Sequence, residues 1–339
     1  MSNRYLLLIL LIVAVIVLAA SIRFGAIDFP LSDIWSGIAS LFPGQPEATL
    51  DQRIFIELRL PRAVLCILVG ASLGVGGTLM QALFRNPIVE PGLVGTSSGA
   101  ALGSALFFVY GAKFALGASF WALPIAACAG AIVATAMVFM LATSKEQARA
   151  SIMMLLLTGL AVNALAMSAI GFLSYVSRDP QARSIVFWSL GTLGGANWSS
   201  VLVVAISTTI GTLIAIRYAK DLNALMIGDE EATYLGVDVR KLKWIILSIN
   251  VAIVAVATCF VGVISFVGLI VPHILRMMRG SDNRFLIAGS AILGATILSL
   301  ADLAARLVIR PAELPIGVVT SFVGVPIFLY LLRKKQYIF

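Results

Sequence analysis

Long apolar runs, each closed by a short polar stretch, follow one another along almost the whole chain. A helix of about 20 apolar residues spans the hydrocarbon core of a bilayer. The pattern therefore predicts an all-α membrane protein with ten transmembrane helices. The predicted spans are residues 5–24, 60–84, 93–110, 120–143, 152–176, 201–218, 244–263, 264–278, 285–309 and 313–335. The eighth is short for a full crossing, and residues 177–198 form a longer polar interruption.

The most polar run of the chain, residues 225–243, lies between the sixth and seventh spans. Its acidic residues would occupy the first turn of a helix, where negative charge suits the helix dipole. Gly236 would then end that helix and allow a turn. The pattern predicts two short helices joined by Gly236 outside the membrane. The acidic residues are Asp229, Glu230 and Glu231.

One face of this polar run is apolar, since Ala232, Leu235 and Val239 lie three and four residues apart. Residues with that spacing share a helical face. A short element outside the membrane is not needed to bury a core, so the run is a candidate docking surface. An ordinary solvated loop is an equally good interpretation of the residues alone.

Composition agrees with a polytopic membrane protein. Hydrophobic residues make up 60% of the chain, charged residues 12%, and the mean hydropathy is +1.03. A soluble domain carries roughly 25% charged residues. The net charge of +8 does not indicate nucleic-acid binding, because the basic residues stand at the ends of apolar spans, where they anchor helices.

The basic residues also predict the orientation of the chain. Ten spans place both termini on one side, and an inside N-terminus puts most of the 24 Lys and Arg residues on the inner side. The positive-inside rule then predicts cytoplasmic termini and a cytoplasmic 225–243 run. Two blocks of five spans related by inversion would be a common transporter plan.

The chain lacks the residues that most enzymes need. No phosphate-cradling Gly-x-x-x-x-Gly-Lys-Ser/Thr sequence occurs, and His273 is the single histidine. Cys66, Cys128 and Cys259 are isolated in apolar segments without metal-ligand spacing. We therefore expect no catalytic residue, no metal site and no cofactor bound by this chain itself.

Six motifs stand in order along the chain from residue 59 to residue 319. They are Arg59-Leu-Pro-Arg62; Asn86-Pro-Ile-Val-Glu-Pro-Gly-Leu-Val-Gly95 with Ser97-Ser-Gly-Ala100; Gly228-Asp-Glu-Glu-Ala232 with Leu235-Gly-Val237; Gly268-Leu-Ile-Val-Pro-His-Ile-Leu-Arg276; Asp302-Leu-Ala-Ala-Arg306; and Glu313-Leu-Pro-Ile-Gly-Val-Val319. Together they resemble the FecCD/BtuC family of permease subunits, which belong to ATP-driven importers of iron–siderophore complexes, haem and cobalamin.

The resemblance implies a single permease domain over residues 1–339 in the bacterial inner membrane. It also implies a BtuC-like homodimer with one translocation path at its two-fold axis, two ATP-binding cassette subunits that hold ATP-Mg, and a periplasmic substrate-binding protein. The 225–243 run then matches the family's ATPase-coupling helices. The coupling residues implied are Gly228, Asp229, Glu230, Glu231, Ala232, Leu235, Gly236 and Val237.

Three arginines are candidates for docking the periplasmic protein: Arg59, Arg62 and Arg306. The predicted topology puts all three at outer helix ends, and outer-face arginines of the resembled family pair with glutamates of the binding protein. A guanidinium suits such a carboxylate partner. The alternative is that these arginines snorkel at the membrane interface, and for Arg306 that Asp302, one turn away, pairs with it internally.

A few other polar and small residues carry alternative interpretations. Ser97, Ser98 and Asn163 are candidates for the translocation path, although Asn163 would equally bond a neighbouring helix. Gly95, Gly99 and Gly103, four residues apart, favour close helix packing. His273 could ligate haem iron, but a structural histidine is the preferred interpretation.

The predicted cargo is an iron complex, either haem or a ferric siderophore, with cobalamin as the alternative. A secondary transporter driven by an ion gradient is the second hypothesis, and it would need intramembrane carboxylates. Apart from Glu313 at the first position of the tenth span, Asp302 is the one carboxylate within a predicted span, and Arg306 one turn on is expected to pair with it.

Overall fold

The computed structural model describes residues 3–25, 49–111, 119–142 and 152–333. Within these ranges every regular element is helical. The α-helices are α1 Asn3–Arg23, α2 Leu50–Ile54, α3 Leu60–Phe84, α4 Thr96–Tyr110, α5 Ala122–Ala142, α6 Ile152–Val176, α7 Asp179–Ser189, α8 Trp198–Arg217, α9 Ala219–Ile227, α10 Asp229–Tyr234, α11 Val239–Val261, α12 Val267–Arg279, α13 Asn283–Leu307 and α14 Ile316–Arg333. A π-helical turn, Phe55–Arg59, joins α2 to α3, and a 3₁₀ turn, Pro91–Val94, precedes α4.

Each predicted span coincides with a helix, but the helices differ in length. Seven helical segments of the described chain are long and apolar enough to cross a membrane. These are Asn3–Arg23, Leu50–Phe84, Ala122–Ala142, Met153–Val176, Trp198–Arg217, Val239–Val261 and Asn283–Leu307. The helices α4, α12 and α14 are shorter apolar helices, so an all-helical membrane architecture is established, and the count of ten spans stays a prediction.

Helix α3 is the centre of the bundle. It packs against α8, α11, α12 and α13, and most of its residues are buried. Its glycines allow this close approach, because a methyl group at Gly70, Gly74 or Gly77 would overlap a backbone carbonyl of α12 or α13. Small residues let helix backbones come together in this way, so that packing rather than a hydrophobic driving force holds membrane helices together.

The predicted packing role of Gly95, Gly99 and Gly103 is confirmed. A side chain at Gly99 would overlap the Gly130 carbonyl, and one at Gly103 would overlap the Ala126 carbonyl, both in α5. Helices α4 and α5 therefore pack backbone to backbone along this stripe.

The short eighth span, α12, begins inside the bundle rather than at its surface. Gln81 of α3 donates from Nε2 to the Leu269 carbonyl at 3.0 Å, and a carboxylate oxygen of Glu90 accepts from the Phe266 amide at 2.9 Å. Phe266, the residue before α12, has φ +69°, a conformation that bulky residues rarely adopt. The loop before α4 thus caps α12 at mid-depth, which explains its length of 13 residues.

One predicted loop contains a helix. The polar interruption 177–198 includes α7, Asp179–Ser189. Its sequence is too polar for a span, but Ile185 and Trp188 are buried on one side. The apolar side of this segment is typical of an amphipathic surface helix. The charged residues at its start made the segment resemble a polar loop in the sequence.

Candidate docking faces at the two ends of the bundle

The polar run 225–243 is part of a helical element at one end of the bundle, but its joints differ from the prediction. Two short helices, α9 and α10, are joined by Gly228. Gly236, with φ +84°, instead links α10 to α11. The prediction of a second short helix after Gly236 is wrong, because Asp238 caps the Lys241 amide at 2.9 Å and so begins the long helix α11.

The acidic first turn of α10 is confirmed, and one of its carboxylates links three elements. Asp229 Oδ2 accepts a hydrogen bond from Lys243 Nζ at 2.6 Å, and Asp229 Oδ1 lies 3.0 Å from Arg85 Nη2 as an ion pair. Arg85 directly follows α3, and Lys243 stands near the start of α11. The predicted acidic run is therefore anchored at this position, and Glu230 and Glu231 are exposed.

The apolar face predicted for Ala232, Leu235 and Val239 does not exist. Ala232 is fully buried, whereas Leu235 is 66% exposed and its neighbour Tyr234 is 88% exposed. Helix α10 ends at Tyr234, so Leu235 belongs to the following turn and Val239 to the next helix. Val237 packs against the core. The outward-facing apolar tip of the element is thus Tyr234 and Leu235.

Helix α9 fixes this element to the start of α13. Asn223 Oδ1 accepts from the backbone amide and the Nδ2 of Asn283 at 2.8 and 2.9 Å, and Asn223 Nδ2 donates to Asp282 at 2.8 Å. Hydrogen bonds from the Arg284 side chain lower the pKa of Asp282 to about 2, with a smaller contribution from Asn223. The element is therefore seated on the helix ends and does not extend as a free loop.

An ion-paired cluster occupies the opposite ends of α3 and α13. Asp302 is 1% exposed, and its two oxygens lie 2.9 Å from Arg62 Nη2 and 2.9 Å from Arg306 Nε. Arg62 Nη1 also lies 2.8 Å from Glu313, which precedes α14. The expected pairing of Asp302 with Arg306 is confirmed, and Arg62 is a second partner that the sequence did not indicate.

The three candidate docking arginines come together at this end, but they differ in exposure. Arg306 is 2% exposed, and its guanidinium donates to Ser21 Oγ at 2.7 Å and to the Phe24 carbonyl at 2.9 Å. Its prediction as a surface residue is therefore wrong: burial against the end of α1 gives it a bracing role. Arg59 is half-buried and also donates to the Phe24 carbonyl, at 3.2 Å.

The two polar clusters lie about one membrane thickness apart. Arg62 stands in the first turn of α3, and Arg85 follows its last residue. The 25 residues of that helix span about 37 Å at 1.5 Å per residue, compared with roughly 30 Å for a hydrocarbon core. The cluster around Asp302 and the α9–α10 element therefore occupy opposite faces of the bundle.

The candidate path residues lie at a helix contact. Ser98 Oγ donates a hydrogen bond to Asn163 Oδ1, which joins α4 to α6. Of the two alternatives for Asn163, a bond to a neighbouring helix is observed, and a place on the path stays a prediction for all three residues. His273 is half-buried in α12, and among the described residues no group of three His, Cys, Asp or Glu side chains could hold a metal.

The described helices form an apolar bundle with a separate polar face at each of its two ends, as expected for a membrane permease. The chain belongs to the FecCD transport family, whose family model matches residues 10–334. It is a multi-pass permease of the ABC-importer type.

The names of several relatives specify two kinds of cargo. The chain is 38% identical to the hemin transport system permease HmuU of Yersinia pestis, over 98% of this chain and 96% of that protein. It is 36% identical to the vitamin B12 import system permease BtuC of Vibrio parahaemolyticus, over 88% of each. A cobalamin import permease of Halobacterium salinarum is 38% identical over 86% of this chain and 76% of that protein.

Solved structures share the fold. A metal-chelate type ABC transporter in an inward-facing conformation superposes with a TM-score of 0.84 at 29% identity, over 98% of this chain and 99% of that one. PsaBC from Streptococcus pneumoniae, solved with a Fab, gives a TM-score of 0.55 at 17% identity, over 90% of this chain and 98% of that one, which is a likeness of fold alone.

Proposed function

We propose that this chain is the permease subunit that carries an iron complex, haem or a ferric siderophore, across the bacterial inner membrane by alternating access. The observation that carries the proposal is the 38% identity to a hemin permease over 98% of the chain. A partner ATPase supplies the energy and holds ATP-Mg, and this chain binds no cofactor of its own.

The face with α9 and α10 is the cytoplasmic coupling surface in this proposal. Its supporting observation is the exposed apolar tip, Tyr234 and Leu235, on an element that the chain itself holds firmly. Exposed aromatic residues of this kind dominate the affinity of many interfaces. The element comprises Gly228, Asp229, Glu230, Glu231, Ala232, Leu235, Gly236 and Val237, of which Ala232 and Val237 seat it on the bundle.

The opposite face docks the periplasmic binding protein. Arg59, the more exposed of the arginines at this end of α3, offers a permanent charge to a glutamate of the partner. Arg62 and Arg306 act indirectly, because their contacts to Asp302 and Glu313 hold α1, α3, α13 and α14 in register. An ion pair between Arg59 and a glutamate at the rim of the interface acts mainly on the association rate and weakens with salt.

The assembly that we propose is the one implied by the family to which the chain belongs. Two copies of this single-domain permease, residues 1–339, form a homodimer around one path, and each copy crosses the membrane ten times in two inverted halves of five helices. Both termini are cytoplasmic. Ser97, Ser98 and Asn163 line or support that path at the α4–α6 contact.

Cobalamin is the alternative cargo, because relatives named as vitamin B12 and cobalamin permeases match at nearly the same identity. The deciding experiment is uptake into proteoliposomes that contain the permease and its ATPase, with the cognate binding protein outside. Haemin, a ferric siderophore and cobalamin are compared at equal concentration. Saturable ATP-dependent uptake of an iron complex, with cobalamin inert, is expected. Uptake of cobalamin alone would reassign the cargo.

A further inference from the structure

One carboxylate of α10 forms an ion pair with the residue that directly follows α3. Asp229 uses a separate oxygen for each cation, Oδ1 for Arg85 at 3.0 Å and Oδ2 for Lys243 at 2.6 Å. It can therefore hold both at once. Loss of either cation would leave α10 attached to only one of the two long helices at this position.

Arg85 is fixed at the end of α3 by its backbone. It adopts a left-handed conformation, φ 48° and ψ 38°, and its amide bonds to the carbonyls of Gln81 and Ala82. A residue other than glycine in this region carries some strain and persists where its surroundings hold it. The position of the Arg85 guanidinium is thus tied to the last turn of the most buried helix in the bundle.

Lys243 provides the second attachment. It is part of α11, which packs along α3, and its side chain is only 17% exposed. The turn at Gly236 connects α10 to α11, and Ala232 and Val237 seat it on the bundle. The ion pairs across Asp229 join the first turn of α10 directly to both long helices.

We propose that Asp229 is a positioning residue that transmits movement of the coupling tip to α3 and α11 together, with Arg85 as its essential partner. This inference rests on the proposed function, since it assigns how the coupling surface acts. A push on Tyr234 and Leu235 then shifts the central helix, which contacts α8, α11, α12 and α13. Without the joint, the first turn of α10 loses its direct links to α3 and α11, and less of the movement reaches α3.

The test measures ATP hydrolysis and haemin uptake in the same proteoliposomes. Asp229→Asn and Arg85→Gln should keep the ATPase bound and active but lower the haemin transported per ATP by about fivefold or more, the size of a typical coupling between sites. Arg85→Lys keeps a cation and should restore most of the ratio. Asp179→Asn removes the same charge from an exposed residue of α7, outside the coupling element, and should leave the ratio unchanged.

Equal transport per ATP in Asp229→Asn and wild type would overturn the inference. So would a loss in Asp179→Asn as large as that in Asp229→Asn, because the effect would then be one of net charge. Wild-type permease that binds no ATPase, or takes up no cargo, would instead overturn the proposed function.

A second measurement tests the joint without any ATPase or cargo. A nitroxide label on Leu235→Cys, in a background with the three native cysteines replaced by alanine, reports the mobility of α10 in the permease alone. Asp229→Asn and Arg85→Gln should make the label more mobile, and Glu230→Gln should not. An unchanged spectrum in Asp229→Asn would contradict the joint whatever the transporter carries.

Discussion

The buried ion network at the start of α3 gives a specific stability prediction. The change is Asp302→Asn, which keeps the shape of the side chain and removes its charge. Asp302 lies between two guanidinium groups at 2.9 Å each, and both Asp302 and Arg306 are almost completely buried. The variant therefore leaves a buried cation without its counter-ion.

The magnitude follows from what each arginine retains. Breaking a buried pair by removing one partner costs about 3–5 kcal/mol. Arg306 still donates to Ser21 and Phe24, and Arg62 keeps Glu313. These remaining bonds place the expected loss near the lower limit, about 3 kcal/mol in the free energy of unfolding.

The assay is unfolding of purified permease in mixed micelles at increasing fractions of a denaturing detergent, followed by tryptophan fluorescence. The matched control is Arg284→Gln, which removes an exposed ion pair with Asp282 at the other end of α13 and should change stability much less, because solvent-exposed ion pairs contribute little. If Asp302→Asn shifted the unfolding free energy no more than this control does, the network would not hold the helices together as described.

Three further predictions concern packing, docking and pH. Gly77→Ala should lower the yield of folded permease in detergent, because the methyl group would overlap the Gly268 carbonyl. The control Gly171→Ala places its methyl group in open space and should leave the yield unchanged. Equal yields of the two variants would refute the close packing of α3. Arg59→Glu should weaken binding of the periplasmic protein at least tenfold at low salt, and less at high salt. The control Arg53→Glu, at an exposed position, should leave that binding unchanged. Binding by Arg59→Glu as tight as that of wild type would refute the docking role of Arg59. The pKa of Asp282 is lowered to about 2 from 3.8, so its pairing with Arg284 stabilises the fold above about pH 4 and loses that effect as the pH falls through about 2. The small difference in unfolding free energy between wild type and Arg284→Gln should therefore vanish as the pH falls from about 4 to about 2. A difference that stayed constant would contradict this role of the Asp282–Arg284 pair.

The apolar runs were enough to locate every long helix, because the bilayer requires about 20 apolar residues whatever their partners are. The glycine spacing in α4 likewise predicted close helix packing, but it did not indicate α5 as the partner. Burial among the long helices was harder to predict. The central place of α3 depends on Gly70, Gly74 and Gly77 meeting backbone carbonyls of other helices, and a single sequence does not pair distant glycines.

The errors lie where tertiary contacts decide the outcome. Gly236 was a sound signal for a turn, but the cap by Asp238 lies just beyond it, so the helix that follows is the long α11. Arg306 looks like an interfacial arginine in the sequence, and the end of α1 buries it. The sequence shows Arg85 and Lys243 only as basic residues at helix ends. It does not predict that both pair with Asp229, because Asp229 is distant from Arg85 in the sequence.

The most direct test of the account is the energy source of transport. Proteoliposomes carry the permease with either its ATPase or an ATPase mutated in its nucleotide site, the binding protein and haemin outside, and ATP-Mg at the face that holds α10. Haemin uptake should require the active ATPase and should be lost in the double variant Tyr234→Asp with Leu235→Asp. Undiminished uptake driven by an ion gradient, with the inactive ATPase or with the altered tip, would contradict an ATP-driven permease coupled through α10.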